Sequence, residues 1–411
     1  MITKKTALLF SVFALILVAF ATSLPKSKQL KFTLQTPNSN FEAGNKINLV
    51  FLTPSKTAKP KLFIVHDYGK TLLNGKNNNG KISFVLPDFY TKKAGVVSWF
   101  LINNDKNCLK GTFEIFPNDK TETKIENYLG PPSILAGGSE YTMMVTIPTD
   151  SYDNPKRTNT PTLIKHQFLE NITVDQIKTK DFIAWKNIYS PNKSGKLLVS
   201  TQCDSIAVKE IETEVYPNIA TNFTIFFSRN HEFADGNQIT DLSTSLIKDA
   251  YGNTVSDGTL VSFIIRTKNN YVLKTFGTTI KGIASAKMLH PDHKETYSIK
   301  GYVTGIAESN SLVINYKPII SNFNYNFSNK NRLLTVGPLK SFMNQIVPDG
   351  IRVVVKIFHN NKLVDTELEE SAKGLANFYI SKDFYKEKTY RFEITTLGIT
   401  KKTSILNYDI N

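Results

Sequence analysis

A strand ending in proline recurs down the chain at nearly constant spacing, and this recurrence limits the fold more than any single residue does. Phe113-Glu114-Ile115-Phe116-Pro117, Glu212-Thr213-Glu214-Val215-Tyr216-Pro217 and Leu312-Val313-Ile314-Asn315-Tyr316-Lys317-Pro318 each set alternating residues before a proline, and Ile405-Leu406-Asn407-Tyr408 closes the chain. Units of about 100 residues follow, the ordinary size of a domain. A chain of 411 residues is too long for one hydrophobic core and suits three or four.

Threonine, valine, isoleucine, phenylalanine and tyrosine are common, and runs of strong helix formers are rare beyond the first twenty residues, so the chain reads as all-β. The first unit shows Lys31-Phe32-Thr33-Leu34, Ile47 to Leu52, Leu62 to Val65, Ile82 to Val85, Val96 to Leu101 and Thr112 to Phe116. Short strands broken by Gly, Asn and Pro predict an antiparallel β-sandwich, with a barrel as the runner-up.

The third and fourth units repeat one another. Asp257-Gly258 before Thr259-Leu260-Val261-Ser262-Phe263 returns 92 positions later as Asp349-Gly350 before Ile351-Arg352-Val353-Val354-Val355. At the same offset Lys281-Gly282-Ile283-Ala284 becomes Lys373-Gly374-Leu375-Ala376, and Ile314-Asn315-Tyr316 becomes Leu406-Asn407-Tyr408. Thr296-Tyr297 returns one position further on, as Thr389-Tyr390. The second unit carries Asp150-Ser151-Tyr152-Asp153-Asn154, 99 positions before Asp249-Ala250-Tyr251-Gly252-Asn253, and is a diverged copy. The expected architecture is a tandem array of four immunoglobulin-like antiparallel β-sandwich domains at 28–117, 118–217, 218–317 and 318–411, after a signal peptide or membrane anchor at 1–21.

The third unit resembles the bacterial immunoglobulin-like domains of the invasin and intimin adhesins, most clearly over 219–317. The residues that carry the resemblance are Ile247 to Asn253, Val255 to Phe263, Gly282 to Ala286 and Glu295 to Ile299. Asp, Gly and Asn at 249–253 and 257–258 suit tight turns, and the alternating residues between them supply a core face. Thr254 stands where that family usually has proline, although the second unit has Pro155 there. The resemblance implies a bacterial, extracytoplasmic, rod-like array, in which such domains often serve only as spacers.

Lys4 and Lys5, the apolar run from Ala7 to Ala21 and the small-x-small Ala19-Phe20-Ala21 follow the order of a secretory signal. An uncleaved anchor is the rival, but a span needs about 20 apolar residues. No cysteine follows the run, so a lipid-modified cysteine is not available. Either way the rest of the chain is exported, to the cell surface or the periplasm, and a membrane tether through the N-terminal segment stays open.

The formal charge is +15, two lower once Lys4 and Lys5 leave with the signal. The lysines are scattered, with pairs at Lys92-Lys93 and Lys401-Lys402 and no long basic run. Nucleic acid would want a clustered stripe with exposed aromatics. Anionic polysaccharide or lipid headgroups suit the charge better. Cys108 and Cys203 fall in different units and read as two isolated thiols.

Few residues invite chemistry. His290-Pro291-Asp292-His293 has metal-ligand types, but a solvent-exposed Pro-Asp turn is the simpler reading. His66-Asp67 lies on a strand, where neighbours point to opposite faces, so Asp67-Tyr68-Gly69-Lys70 reads as a hairpin turn. Asp249, Asp257 and Asp349 read as turn residues, since calcium between domains needs six to eight oxygens and no cluster lies near Pro117, Pro217 or Pro318. Trp99 suits a core; Trp185 leaves core packing and a sugar platform both open, and an exposed aromatic cluster near Trp185 or Tyr189 would mark the latter. Asp204-Ser205-Ile206 and the Asn-x-Ser/Thr triplets at Asn171, Asn222 and Asn326 are short glycosylation matches that carry no weight.

No catalytic, cofactor-binding or metal-binding residue is assigned. The expected function is a non-enzymatic envelope protein serving adhesion, scaffolding or presentation, with an envelope or cell-surface protein, or a polysaccharide, as partner and no nucleic acid. A carbohydrate-binding accessory protein with one glycan-binding unit is the alternative.

Overall fold

Period-two alternation builds nearly every element of the protein. In the computed structural model, which describes residues 30–37 and 39–409, Leu49 and Phe51 of the strand Asn48–Leu52 turn inward while Asn48 and Leu52 face solvent. Leu62 and Ile64 do the same in Lys61–His66. The N-terminal segment expected to be a signal or anchor lies outside the described residues. Among those residues no helix is long and apolar enough to cross a membrane.

The chain packs as two compact units. One holds the chain up to Gly130 with Met143–Ile188 and Leu197–Thr213, and the other holds Pro131–Thr142, Tyr189–Lys196 and Glu214 onward.

In the first unit a four-stranded sheet orders Thr33–Leu34, Asn48–Leu52, Lys81–Val85 and Lys76–Asn78. A five-stranded sheet orders Asn40–Glu42, Lys106–Phe116, Gly95–Asn103, Lys61–His66 and Gly69–Asn74. The two sheets close over one core that includes Phe51, Phe84, Trp99 and Phe113. A single helical turn, Asp88–Thr91, begins after Pro87. The same unit pairs Lys124 to Gly130 with Thr149 back to Met143, and Pro161–Phe168 with both Asn171–Lys178 and the strand ending at Cys203.

In the second unit one core runs from Ala220 to Tyr316 and another from Ile320 to Tyr408. Around the former, Val272–Ile280 pairs with Leu260–Arg266 over most of its length and then with Ile283–Ala284 at its end. This change of partner joins the strands into one eight-stranded sheet wrapped about the core. Two turns 92 positions apart match in their hydrogen bonds: Asp257 Oδ1 accepts the Lys281 N–H at 2.6 Å, and Asp349 Oδ1 accepts that of Lys373 at 2.6 Å. Val261, Phe263 and Ile265 are buried, as are Val353, Val355 and Ile357.

The recurring strand before proline has a structural role that the sequence did not suggest. Glu114–Phe116 pairs parallel with Asn40–Glu42, Glu214–Tyr216 with Ser133–Leu135, and Lys317–Pro318 with Phe233–Ala234. These three short pairings are parallel, in sheets whose other described strand pairs run antiparallel as expected. The reason is directional: where the chain enters at one pole and leaves at the other, a strand near its start and its last strand run the same way.

Candidate functional site

The most elaborate polar site is a clasp that occurs twice, once wholly inside each compact unit. It begins with a buried aspartate in a tight turn. Asp150 is wholly buried and Asp249 nearly so, and each closes the turn by a backbone N–H to the residue four further on, Asn154 or Asn253. The third turn residue after the aspartate takes positive φ, 63° at Asp153 and 81° at Gly252.

In the second unit the Asp249 carboxylate accepts the Tyr251 and Asn253 N–H groups at Oδ1 (2.9 and 2.8 Å). At Oδ2 it accepts the Asn218 N–H and the Asn253 side-chain amide (both 2.8 Å). Asn253 Nδ2 also donates to the Asn192 carbonyl at 2.8 Å, and its Oδ1 accepts the Ser194 N–H at 3.1 Å. Asn218 Nδ2 donates to the Ala136 carbonyl at 2.5 Å.

The first unit repeats this set around Asp150. Its carboxylate accepts the Tyr152, Asn154 and Asn118 N–H groups at 2.8, 3.0 and 2.9 Å. Asn154 bonds the Lys92 carbonyl and the Ala94 N–H, both at 2.8 Å, and Asn118 Nδ2 reaches the Ala43 carbonyl at 2.9 Å. The tyrosine ring of each turn then lies over a glycine of the preceding segment. A Cβ on Gly44 would sit 2.4 Å from Tyr152 Oη, and one on Gly137 would sit 2.7 Å from the Tyr251 ring, so both positions need glycine for close approach as well as for positive φ.

Charged acceptors with several N–H donors make the strong class of hydrogen bond. Each clasp therefore ties the residue after a strand-ending proline, the turn and the preceding segment into one network. The sequence reading of Asp249 as a turn residue is right but incomplete. With four donors on its two oxygens it has no open face for calcium.

Burial alone would raise the Asp249 pKa, but the Asn253 amide and the N–H groups of Asn218, Asn253 and Tyr251 outweigh it and hold it below the ordinary 3.8. A depressed folded-state value means stabilisation present above about pH 4 and lost as pH falls through the folded pKa. The urea midpoint of the protein should fall between pH 4 and pH 2.5. Asp249→Asn should flatten that limb, and an unchanged limb would remove Asp249 as its source.

At the third strand-ending proline the same turn survives without its carboxylate. Ser341 N–H bonds the Gln345 carbonyl at 2.8 Å and Asn344 takes φ 61°, but serine replaces the aspartate, and Ile319 follows Pro318 where asparagine follows Pro117 and Pro217. Phe342 stacks on Phe233 there instead, with centroids 4.1 Å apart and planes 22° apart.

His290 departs from expectation. The sequence placed it in a solvent-exposed turn with His293, yet it is only 2 % exposed, packed edge-on against Tyr316 and donating Nδ1–H to the Phe233 carbonyl at 2.9 Å. His293 stays exposed beside Asp292. The true companions of His290 are Asp235 and His231, whose ligand-type atoms lie within 4.8 Å of one another and of its own. Sequence spacing carries no sign of this group, because His231 is 59 positions away.

Backbone groups fix the ring protons of this cluster, and His290 Nε2 is left buried without a hydrogen-bond partner. His290 Nδ1, the nitrogen 3.7 Å from Asp235, already donates to a carbonyl. His231 Nδ1 accepts the Phe233 N–H at 3.2 Å, which leaves the proton on Nε2, 3.5 Å from Asp235. The carboxylate thus faces the His231 Nε2–H and accepts the Asn237 and Gln238 N–H groups at 3.1 and 3.0 Å. Burial lowers the His290 pKa, which keeps the ring neutral near pH 7.

The remaining sequence candidates separate cleanly. His66 is buried at the end of a hairpin strand and its Nδ1 accepts the Tyr68 N–H, in the expected turn. Trp99 is 5 % exposed and packs edge-on against Phe51, as a core residue. Trp185 is 54 % exposed. Tyr189 is exposed in the second unit and meets Tyr141 at 5.4 Å with planes 61° apart. Cys108 and Cys203 are free thiols, and burial pushes that of Cys203 up. The Asp204 carboxylate is held by Lys156 Nζ at 2.7 Å and Thr123 Oγ1 at 2.6 Å, which lower its pKa.

Two-sheet packing with short strands and a common core makes this an all-β chain of immunoglobulin-like sandwich type. No family model and no curated protein matches the sequence. Among solved structures it is similar to FdeC, an Escherichia coli adhesin, with TM-score 0.49 and 15 % identity over 70 % of this chain and 96 % of that one. It is also similar to invasin, a bacterial integrin-binding protein, with TM-score 0.43 and 12 % identity over 92 % and 79 % of the two chains.

Proposed function

We propose that the protein is an exported, non-enzymatic bacterial envelope protein in which four immunoglobulin-like sandwiches, at 28–117, 118–217, 218–317 and 318–411, form a rod-like module for adhesion, scaffolding or presentation. The duplicated clasp carries this reading. A spacer needs stiff joints, and buried carboxylates with four donors each oppose free swinging at the residues after Pro117 and Pro217. Its partner is an envelope or cell-surface protein, or a polysaccharide.

A straight array of four such domains reaches on the order of 130 Å. Small-angle scattering of the purified protein should give a maximum dimension near that value, and a compact particle would overturn the proposal. Protease applied to whole cells should remove the chain if it is displayed at the surface. Protection with retention in the membrane fraction would instead place it in the periplasm as a tethered scaffold.

The exposed Tyr141 and Tyr189 rings of the second unit favour a second reading as a carbohydrate-binding accessory protein, for which the exposed Trp185 of the first unit is a separate candidate. Binding to immobilised glycans that disappears in Tyr189→Ala or Trp185→Ala supports that reading. Binding unchanged in both removes it.

A further inference from the structure

The N-terminal sandwich gathers its lysines at one pole. Lys31 precedes the strand Thr33–Leu34, whose Thr33 pairs with Leu52. Leu52 also pairs with Lys81, and Lys61 pairs with Asn74 and Ile102. These pairings bring residue 31, the loop 53–60, the hairpin 74–81 and the turn 103–106 to the same end of the sheets. Lys31, Lys56, Lys59, Lys61, Lys76 and Lys81 are all exposed there. None of them has an ion-pair partner among the described residues. The one acid in these segments, Asp105, is followed directly by Lys106. Two open clefts indent the pole, one bordered by Lys31, Thr53, Asn79 and Lys81 and the other by Lys56, Lys59 and Asn77.

The chain enters the sandwich at this pole, while the Ala43, Lys92 and Ala94 contacts of the clasp lie at the other. Residues 22–29, between the apolar run and the described chain, can extend no further than about 30 Å. A bilayer holding residues 7–21 would therefore face this lysine pole.

We propose that the lysine pole of the N-terminal sandwich docks on anionic phospholipid headgroups. Lysines near such a surface each contribute roughly a fivefold gain in binding, screened within about 10 Å at 0.1 M salt. Six in one field, with no acid but Asp105 opposing them, are the counterpart of a phosphate-rich plane. The inference rests on the exported location and on a membrane tether at residues 7–21, and does not depend on rod-like shape, so its failure leaves the scattering result untouched.

The test is co-flotation of the full chain with vesicles of phosphatidylcholine alone and with about a third phosphatidylglycerol, in 0.05 and 0.5 M salt. The expected result is tighter binding to the anionic vesicles that fades at high salt. Lys31→Glu, Lys56→Glu, Lys59→Glu and Lys81→Glu together should reduce the anionic component by more than about 600-fold, the loss expected from removing four lysines alone. Replacing the same four with glutamine should give an intermediate loss. A control reversing Lys268, Lys274, Lys287 and Lys294, all exposed elsewhere, should keep the anionic component. Equal loss in both reversal variants, equal binding to both vesicle types, or binding only to an anionic polysaccharide such as heparin would each overturn the proposal.

Discussion

Asp249→Ala is expected to destabilise the protein by about 3–5 kcal/mol, because it strands four donors that the carboxylate satisfies at 2.8–2.9 Å in a site only 4 % exposed. Two readouts separate local from global loss. Urea denaturation should show a lower midpoint, and amide exchange at Asn218, Tyr251 and Asn253 should quicken, since their N–H groups lose their acceptor. Asp249→Asn should cost less, about 2–3 kcal/mol, because one oxygen remains while the new NH2 meets donors. Asp150→Ala should behave alike in the first unit, where the corresponding contacts are present. A midpoint within 1 kcal/mol of the parent, with the Asn218 amide still protected, would mean that the clasp contributes nothing to holding the segments together.

Trp99→Ala is the second large effect. Trp99 fills the N-terminal core beside Phe51, with ring centroids 5.3 Å apart, and loss of an aromatic of this size leaves a cavity costing about 3–5 kcal/mol. Gly111 explains how so large a ring is admitted: a Cβ there would come 2.4 Å from the indole, so the facing strand leaves the space empty. Gly111→Ala should itself cost about 1–3 kcal/mol through overpacking. Trp185→Ala, at an exposed position, should stay within about 0.5 kcal/mol of the parent. Denaturation curves of the three variants decide the matter. A stable Trp99→Ala protein would show that this ring is not structural.

The two tryptophans also mark how far sequence reading reached. Trp99 sits in an unbroken alternating run, Val96 to Leu101, and alternation says which residues face inward. Trp185 lies where the pattern is irregular, and only its observed exposure tells it from a core residue. His290 is the converse case. A Pro-Asp turn does follow it, but the turn says nothing about His231 and Asp235, which topology brings against it.

The sequence by itself determined the all-β class, the alternating core faces and the matching turns at Asp257 and Asp349, 92 positions apart. These are local properties, set within a few residues by side-chain alternation and turn chemistry. Only the tertiary structure decided that Asp150 and Asp249 hold more than their own turns, and that the strands before proline pair parallel with short strands about 75 to 85 positions earlier. It likewise decided that lysines scattered from residue 31 to 81 share one pole. Each depends on partners tens of positions away, such as Ala43 for Asn118, whose meeting is fixed by strand order and direction and leaves no periodic trace in the chain.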